Sequence, residues 1–423
     1  MNAEDDTDVM STTSALITAI GPSARRGLGH RAGFWVAAAA FLVVMAYSTV
    51  PTPLWSLYQQ RDGFSTFAIT IAFAAYAVGV VISLFLAGHL GDTLGRRRIL
   101  LPAIGLEIVS AVVFLVWPEL AGLIVARVVS GLGIGMLTAT VTAHILDLHL
   151  KSRPGADPAR GQIVSGAANL GGFGVGALIS GVLARFVSLP LVTPFVVFIV
   201  LLVLAFIGIA LVPETATRPD VRRAYRPQRI SVPRESRGRF LLAGGIAFAA
   251  FSVLGLFTSL APIVVSGQLQ ITSKAVAGLI VFATFAAAAV SQIAVRPLGV
   301  RAQIVLGAVL LVVGIALLAV TVVASAGLAL FVIGGVIAGG GAGTLFKAAL
   351  AVAGSLASAA NRGEVLAGIF LLGYVGLTVP VVGIGVATLS VSLAAALVGF
   401  AVIIIVIALA TALPLIASLR RAA

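Results

Sequence analysis

Apolar stretches of 18 or more residues recur along most of the chain, broken by short charged or Pro/Gly-rich segments. As a helix, a stretch of that length crosses the hydrocarbon layer of a bilayer, which needs about 20 residues. A transmembrane barrel would instead show segments of about ten residues in strict alternation. Composition supports the helical reading: of 423 residues, 60% are apolar and 10% charged, with mean hydropathy +1.16. Soluble domains are about 45–50% apolar and about 25% charged, so lipid is the expected surroundings of most side chains. This excludes a soluble enzyme, a disordered tail and a nucleic-acid-binding domain. The chain has no Cys, which removes disulfides, thiolate metal sites and cysteine nucleophiles.

Charges and Pro/Gly clusters predict an all-α integral membrane protein of about twelve helices: 34–57, 66–87, 99–117, 120–147, 161–184, 191–212, 240–265, 275–295, 303–324, 328–352, 364–388 and 391–416. The implied organisation is a cytoplasmic tail (1–33), a six-helix bundle (34–212), a central cytoplasmic loop (213–239), a second six-helix bundle (240–416) and a cytoplasmic tail (417–423). With the N-terminus inside, 22 of the 27 Lys/Arg residues fall on the cytoplasmic side and only Arg61, Arg185 and Lys274 on the other. That asymmetry is the positive-inside signature, and it assigns the net charge of +13 to topology and anionic headgroups. Residues 128–137 (VVSGLGIGML) align with 336–345 (VIAGGGAGTL), and Gly95 corresponds to Gly299. The two similar offsets point to a duplicated, pseudo-symmetric pair of bundles. Trp35, Trp55 and Trp117 fall near predicted helix ends, where interfacial aromatics belong.

The loop after the second helix reads Gly88-His89-Leu90-Gly91-Asp92-Thr93-Leu94-Gly95-Arg96-Arg97-Arg98. Glycines there allow a tight turn, and one carboxylate precedes a basic cluster at the membrane surface. Such a loop can form ion pairs in one conformation and break them in another. The segment resembles the G-x-L-x-D-x-x-G-R-R signature of the major facilitator superfamily, and the helix count, central loop and repeat match that family over nearly the whole chain. The resemblance implies two bundles rocking around a central site. It further implies a gate in which Asp92 meets Arg362–Glu364 at the start of helix 11 and Arg96 pairs with Asp147 at the end of helix 4, with Gly88, Gly95 and Arg97 shaping the turn. Thr93 departs from the pattern, which usually carries a second Arg. The second-half copy, Gln292 to Arg301, has Arg296 in place of the Asp.

A second signal, Arg127-Val128-Val129-Ser130-Gly131-Leu132-Gly133-Ile134-Gly135, lies within helix 4. Its apolar flanks exclude a nucleotide loop, and its glycines make a thin face for close helix packing. An intramembrane Arg costs about 2.5–3.5 kcal/mol on insertion scales, so it needs a partner. By depth that partner is Glu107, midway along helix 3. The run resembles the R-x-x-x-G-x-G motif of proton-coupled family members, which implies that Arg127 serves proton transfer. A carboxyl poised between burial and a nearby guanidinium can load and release a proton.

Tyr47, Asn169 and Tyr374 are candidate cavity-lining residues. Lys347 reads as a side chain snorkelling to the inner surface, and His144 as an interfacial polar residue or a proton relay. Pro51 and Pro53 should kink the outer end of helix 1. Helix 5 is Gly-rich but lacks the Gly-Pro step of the family's antiporters, and helix 1 carries no acid.

The sequence thus predicts a secondary active transporter, working by alternating access as a monomer in the plasma (inner) membrane with both termini cytoplasmic. Its partners would be the lipid bilayer, protons and a small hydrophobic organic molecule exported by antiport, without cofactor, metal or nucleic acid. The alternatives are a proton symporter or facilitator for metabolite uptake and, in another class, a non-transporting membrane sensor or assembly protein. An enzyme is not expected, because the few intramembrane acids and histidines form no catalytic constellation, and no G-x-x-x-x-G-K-[ST] loop exists for ATP-driven pumping.

Overall fold

A computed structural model describes residues 28–87, 90–216, 227, 232, 234–324, 326–358 and 362–420, with Asp92, Thr93 and Arg362 described in backbone only. Among these residues twelve helical segments are long and apolar enough to cross a membrane. Helices are the economical solution here, because hydrocarbon offers no hydrogen bonds and a helix satisfies its own backbone.

The first half contains α1 (His30–Ser48), α2 (Trp55–Asp62), α3 (Thr66–Ala87), the short α4 (Leu90–Leu94), α5 (Arg96–Val116), α6 (Leu120–Ser152), α7 (Ala159–Phe186) and α8 (Thr193–Leu211). The second half contains α9 (Arg237–Ser259), α10 (Ala261–Gly267), α11 (Lys274–Ala294), α12 (Val300–Ala324), α13 (Gly327–Ser355), α14 (Arg362–Ala387) and α15 (Leu393–Arg420). The first span joins α1 and α2 through a 3-10 turn at Thr52–Leu54. Proline therefore does more there than kink a helix: it ends one and starts another. Pro51 has no N–H to give and its ring crowds the preceding turn.

Packing repeats between the halves. α6 packs against α3 and α5, and α1 against α6, α7 and α8; in the second half α13 packs against α11 and α12, and α9 against α13, α14 and α15. Each pair recurs six spans later. The halves meet along two seams, α7 with α11 and α3 with α14. Exchanging the halves turns one seam into the other, which is the relation a pseudo-twofold axis imposes.

The seams are tight at the face away from the chain ends. A Cβ on Gly278 would collide with the Ala177 carbonyl, and one on Gly385 with the Thr70 hydroxyl. The 3-10 turn and α2 also touch α10 and α11 there. By contrast α6 and α13 do not pack along one another. The bundles therefore meet closely over the face opposite the arginine clusters, here called the far face; the basic face carries both ends of the described chain.

Large apolar side chains such as Val116, Phe186 and Val323 stand exposed on the outer surface, where lipid would cover them. Trp35 and Trp117 are exposed as interfacial aromatics should be, but Trp55 is only 1% exposed. The break at Pro51 and Pro53 folds α2 into the bundle, so Trp55 packs near Tyr58 with ring centroids 6.1 Å apart.

Candidate functional site

Two polar clusters stand out, one inside the first bundle and one at its basic face. The inner cluster begins with the helix break. Since α1 stops at Ser48 and the Thr52 N–H turns to the Thr49 carbonyl at 3.0 Å, the Ser48 carbonyl loses its normal donor. Arg127 of α6, only 4% exposed, donates to that carbonyl through a terminal guanidinium nitrogen at 2.7 Å. Its guanidinium lies 4.4 Å from the Tyr76 ring centroid and 5.6 Å from that of Phe73. Arg127 is thus a cationic cap on the C-terminus of α1, held over two aromatic faces. The neighbouring free carbonyl, that of Val50, accepts from Ser180 Oγ of α7 at 2.7 Å.

Glu107 of α5 is fully buried and accepts from Ser130 Oγ through Oε2 at 2.8 Å. Its Oε1 has no hydrogen-bond partner, and neither has Arg127 Nε. The expected Glu107–Arg127 ion pair is therefore absent, because the guanidinium takes the broken helix end and the carboxyl takes the serine one turn further along α6. The glycine run of α6 serves two neighbours. Gly131 meets the Tyr76 carbonyl and Gly135 the Ser83 hydroxyl of α3, whereas Gly133 leaves room for the Glu107 carboxyl of α5. A spacing of two residues turns a helix by about 200°, so alternate glycines face different helices.

The three cavity candidates separate. Tyr47 is buried in the first bundle: its hydroxyl lies 2.8 Å from Ser110 Oγ, which itself donates to the Ala126 carbonyl, and its ring lies near Phe198. It does not line the space between bundles. Asn169 is half-buried on α7. One helical turn away lie Gly172, which touches Met45 of α1, and Phe173, whose ring is 5.4 Å from Phe285 across the seam. Tyr374 of α14 meets the Phe251 ring at 5.7 Å and interacts with Tyr76 across the other seam. Tyr76 therefore sits between Arg127 and the second bundle.

At the basic face, α5 starts after Gly95, whose φ of 105° is a backbone conformation that suits only glycine. The exposed N–H groups of Arg96 and Arg97 donate to the two carboxylate oxygens of Glu214, each at 3.0 Å. Thr215 and Ala216 N–H also donate to Glu214 Oε1, at 2.9 and 3.1 Å. Burial pushes the Glu214 carboxyl up, but these four backbone amides outweigh it and hold the group below the usual carboxylate range. Arg96 Nε lies 2.9 Å from Asp147 Oδ2, and Arg97 donates to the Ala210 carbonyl at 3.0 Å. Thr215 Oγ1 donates to Asp147 Oδ2 at 3.1 Å and lies 2.8 Å from His144 Nδ1. Lys151 donates to the Thr215 carbonyl at 2.7 Å.

Sequence reasoning passed over Glu214 and Thr215, although a lone acid directly after a span, opposite three arginines, was a usable signal. Gly88, His89 and the Asp92 side chain lie outside the described residues, as does the expected contact of Asp92 with Arg362. Lys347 does not merely snorkel. It donates to the Gln292 carbonyl at 2.5 Å, near the C-terminus of α11.

Twelve spans in two interchangeable bundles, the first of which encloses a buried Arg and a buried acid, define a polytopic membrane protein. Residues 36–272, more than half the chain, match the model of the Major Facilitator Superfamily, and the chain belongs to that family. It is 28% identical over 234 residues to YceJ of Bacillus subtilis (strain 168), described as an uncharacterized MFS-type transporter, covering 53% of this chain and 58% of YceJ. It is 34% identical over 83 residues to the arabinose-proton symporter of the same organism, 20% of this chain and 18% of that one. The chain thus spans less than two thirds of these relatives. The structure resembles the nucleoside transporter NupG with TM-score 0.69 and 12% identity over 90% of this chain and 98% of that one. The human organic anion transporter MFSD10 gives TM-score 0.62 at 17% identity, covering 90% of this chain and all of that one. At such identities the likeness is one of fold.

Proposed function

We propose that the chain is a secondary active transporter that moves a small, fairly hydrophobic organic molecule outward in exchange for protons by alternating access. In this reading the membrane is the plasma (inner) membrane, the basic face is cytoplasmic with both chain ends, and the described state faces the cytoplasm. The carrying observation is Glu107: fully buried, with one carboxylate oxygen bonded to Ser130 and the other unpartnered. A carboxyl with a free oxygen inside the bundle can take up a proton when the cavity opens and give it back when the environment changes. Arg127 makes no ion pair with Glu107, and its contact with Ser48 and Tyr76 ties its charge to α1 and α3. Arg96, Asp147 and Glu214 form the cytoplasmic latch of the first bundle, with Gly95 and Arg97 at the turn. The apolar lining of the central helices favours a hydrophobic substrate over a sugar.

Proteoliposome flux under an imposed pH gradient tests this reading. Wild-type flux should follow the gradient, and Glu107→Gln should abolish that dependence while leaving downhill exchange. Flux of an identified substrate that ignores both the gradient and the substitution would remove Glu107 from coupling. Proton symport is the second reading, favoured by the short match to the arabinose-proton symporter. Reversing the gradient separates the two, because symport and antiport respond with opposite signs.

A further inference from the structure

At the basic face, away from the latch, Arg31, Phe34, Trp35, His149, Ser152, Arg153 and Arg160 line a small open cleft. It lies between the start of α1, the end of α6 and the start of α7. We propose that this cleft binds the phosphate headgroup of an anionic phospholipid. Three guanidiniums converge on it, and among the described residues none has a carboxylate within 4.0 Å, the ion pairs being Arg61–Asp62 and Arg96–Asp147. Two of the three cations sit where a helix least favours them. Arg31 and Arg160 occupy the first turns of α1 and α7, neither of which carries an acidic residue there. A positive charge at a helix N-terminus opposes the helix dipole, and an anion bound between them relieves both.

Nearby polar groups do not supply that anion. The Asp157 carboxylate accepts from the Ala159 N–H at 2.8 Å and forms no ion pair with any of the three arginines, and His149 Nε2 lies 3.2 Å from the Asp157 backbone carbonyl. His149 is otherwise buried against Phe34, ring centroids 5.5 Å apart. Guanidinium forks suit the several oxygens of a phosphate.

Trp35 indicates that the phosphate comes from a lipid. It is 52% exposed, one helical turn from Arg31, at the point where a polar segment enters an apolar span. Tryptophan so placed sits at headgroup level. The Arg160 guanidinium lies over its ring at 5.9 Å. The tryptophan therefore joins the basic cleft to the acyl boundary, and basic pockets between transmembrane helices are known headgroup sites.

The test uses the full chain in detergent, with phosphatidylglycerol, phosphatidylcholine and inorganic phosphate as probes followed by native mass spectrometry. A guanidinium near the surface contributes about fivefold in affinity. The triple variant Arg31→Gln, Arg153→Gln, Arg160→Gln should therefore weaken phosphatidylglycerol binding roughly a hundredfold. A control triple on the same face, Arg234→Gln, Arg237→Gln, Arg420→Gln, should leave it unchanged, and phosphatidylcholine should bind weakly throughout. Equal loss in both triples, or no loss in the first, overturns the proposal. Displacement of the lipid by millimolar inorganic phosphate assigns the cleft to the free ion and overturns the lipid assignment. Should the cleft variant not fold, brominated lipids give a second measurement. Brominated phosphatidylglycerol should quench the wild type more than Trp35→Phe, the difference being the Trp35 emission, and an equal Trp35-dependent difference with brominated phosphatidylcholine overturns the proposal.

Discussion

Glu214 shows how much one side chain can organise. Its carboxylate accepts from the first two N–H groups of α5 and from two more in its own loop, so it joins the end of α8 to the start of α5. The folded carboxyl is held below its ordinary range, so its contribution is present above the unfolded pKa of about 4.3 and is lost as pH falls through the lower folded value. Glu214→Gln should lower stability by about 1 kcal/mol near neutral pH, a capping-sized effect moderated by solvent. Thermal unfolding in detergent from pH 7 to pH 3 should show the gap between variant and wild type closing below about pH 4. A constant gap would mean that the carboxylate charge has no part in it. The residue was passed over in the sequence because it reads as the first polar position of a long charged loop, although its place directly after a span was visible. Arg127 is the converse. Its burial and its need for a partner were legible, but the partner is a backbone carbonyl 79 positions away, and no pairing of charge with charge would find it.

At the scale of the helix, the break after Ser48 decides where Arg127 points. Pro51 and Pro53 were visible as a disturbance, but only the resulting turn shows that two carbonyls are freed and that α6 and α7 each supply a donor. Pro51→Ala permits a continuous helix in which the Thr52 N–H competes for the Ser48 carbonyl. In a double-mutant cycle of Pro51→Ala with Arg127→Met, unfolding free energies should therefore couple by about 0.5–3 kcal/mol. Strict additivity would show that cap and break are independent. The glycines of α6 teach a similar lesson. Their service to packing was readable from spacing, but the division of labour, with Gly133 alone making room for Glu107, follows from which helix lies on which side.

Across the whole molecule, the span count and the repeat were legible because hydrocarbon enforces length and apolarity so strictly; the twelve helices track the expected segments to within a few residues at most ends. The conformational state was not, since no local pattern says which ends of two bundles touch. Spin labels can read it directly, because the chain has no native Cys to remove. Label pairs at Gln60 with Ser392 on the far face, and at Ala156 with Ser355 on the basic face, should change in opposite senses when pH or substrate shifts the equilibrium. Distances that stay fixed at both ends would exclude rocking of the bundles.

The two seams are equivalent by symmetry yet unlike in substance. Along α7 and α11 backbone nearly touches backbone at Ala177, Gly181 and Gly278, beyond which Phe173 meets Phe285, while α3 and α14 meet through side chains, Thr70 against Gly385 and Tyr76 against Tyr374. Bare peptide surfaces resist shearing but tolerate rolling, whereas a ring can flip to a new resting place. Motion of one half against the other should therefore be lopsided, with the glycine edge as axle and the tyrosine edge as the sliding bolt.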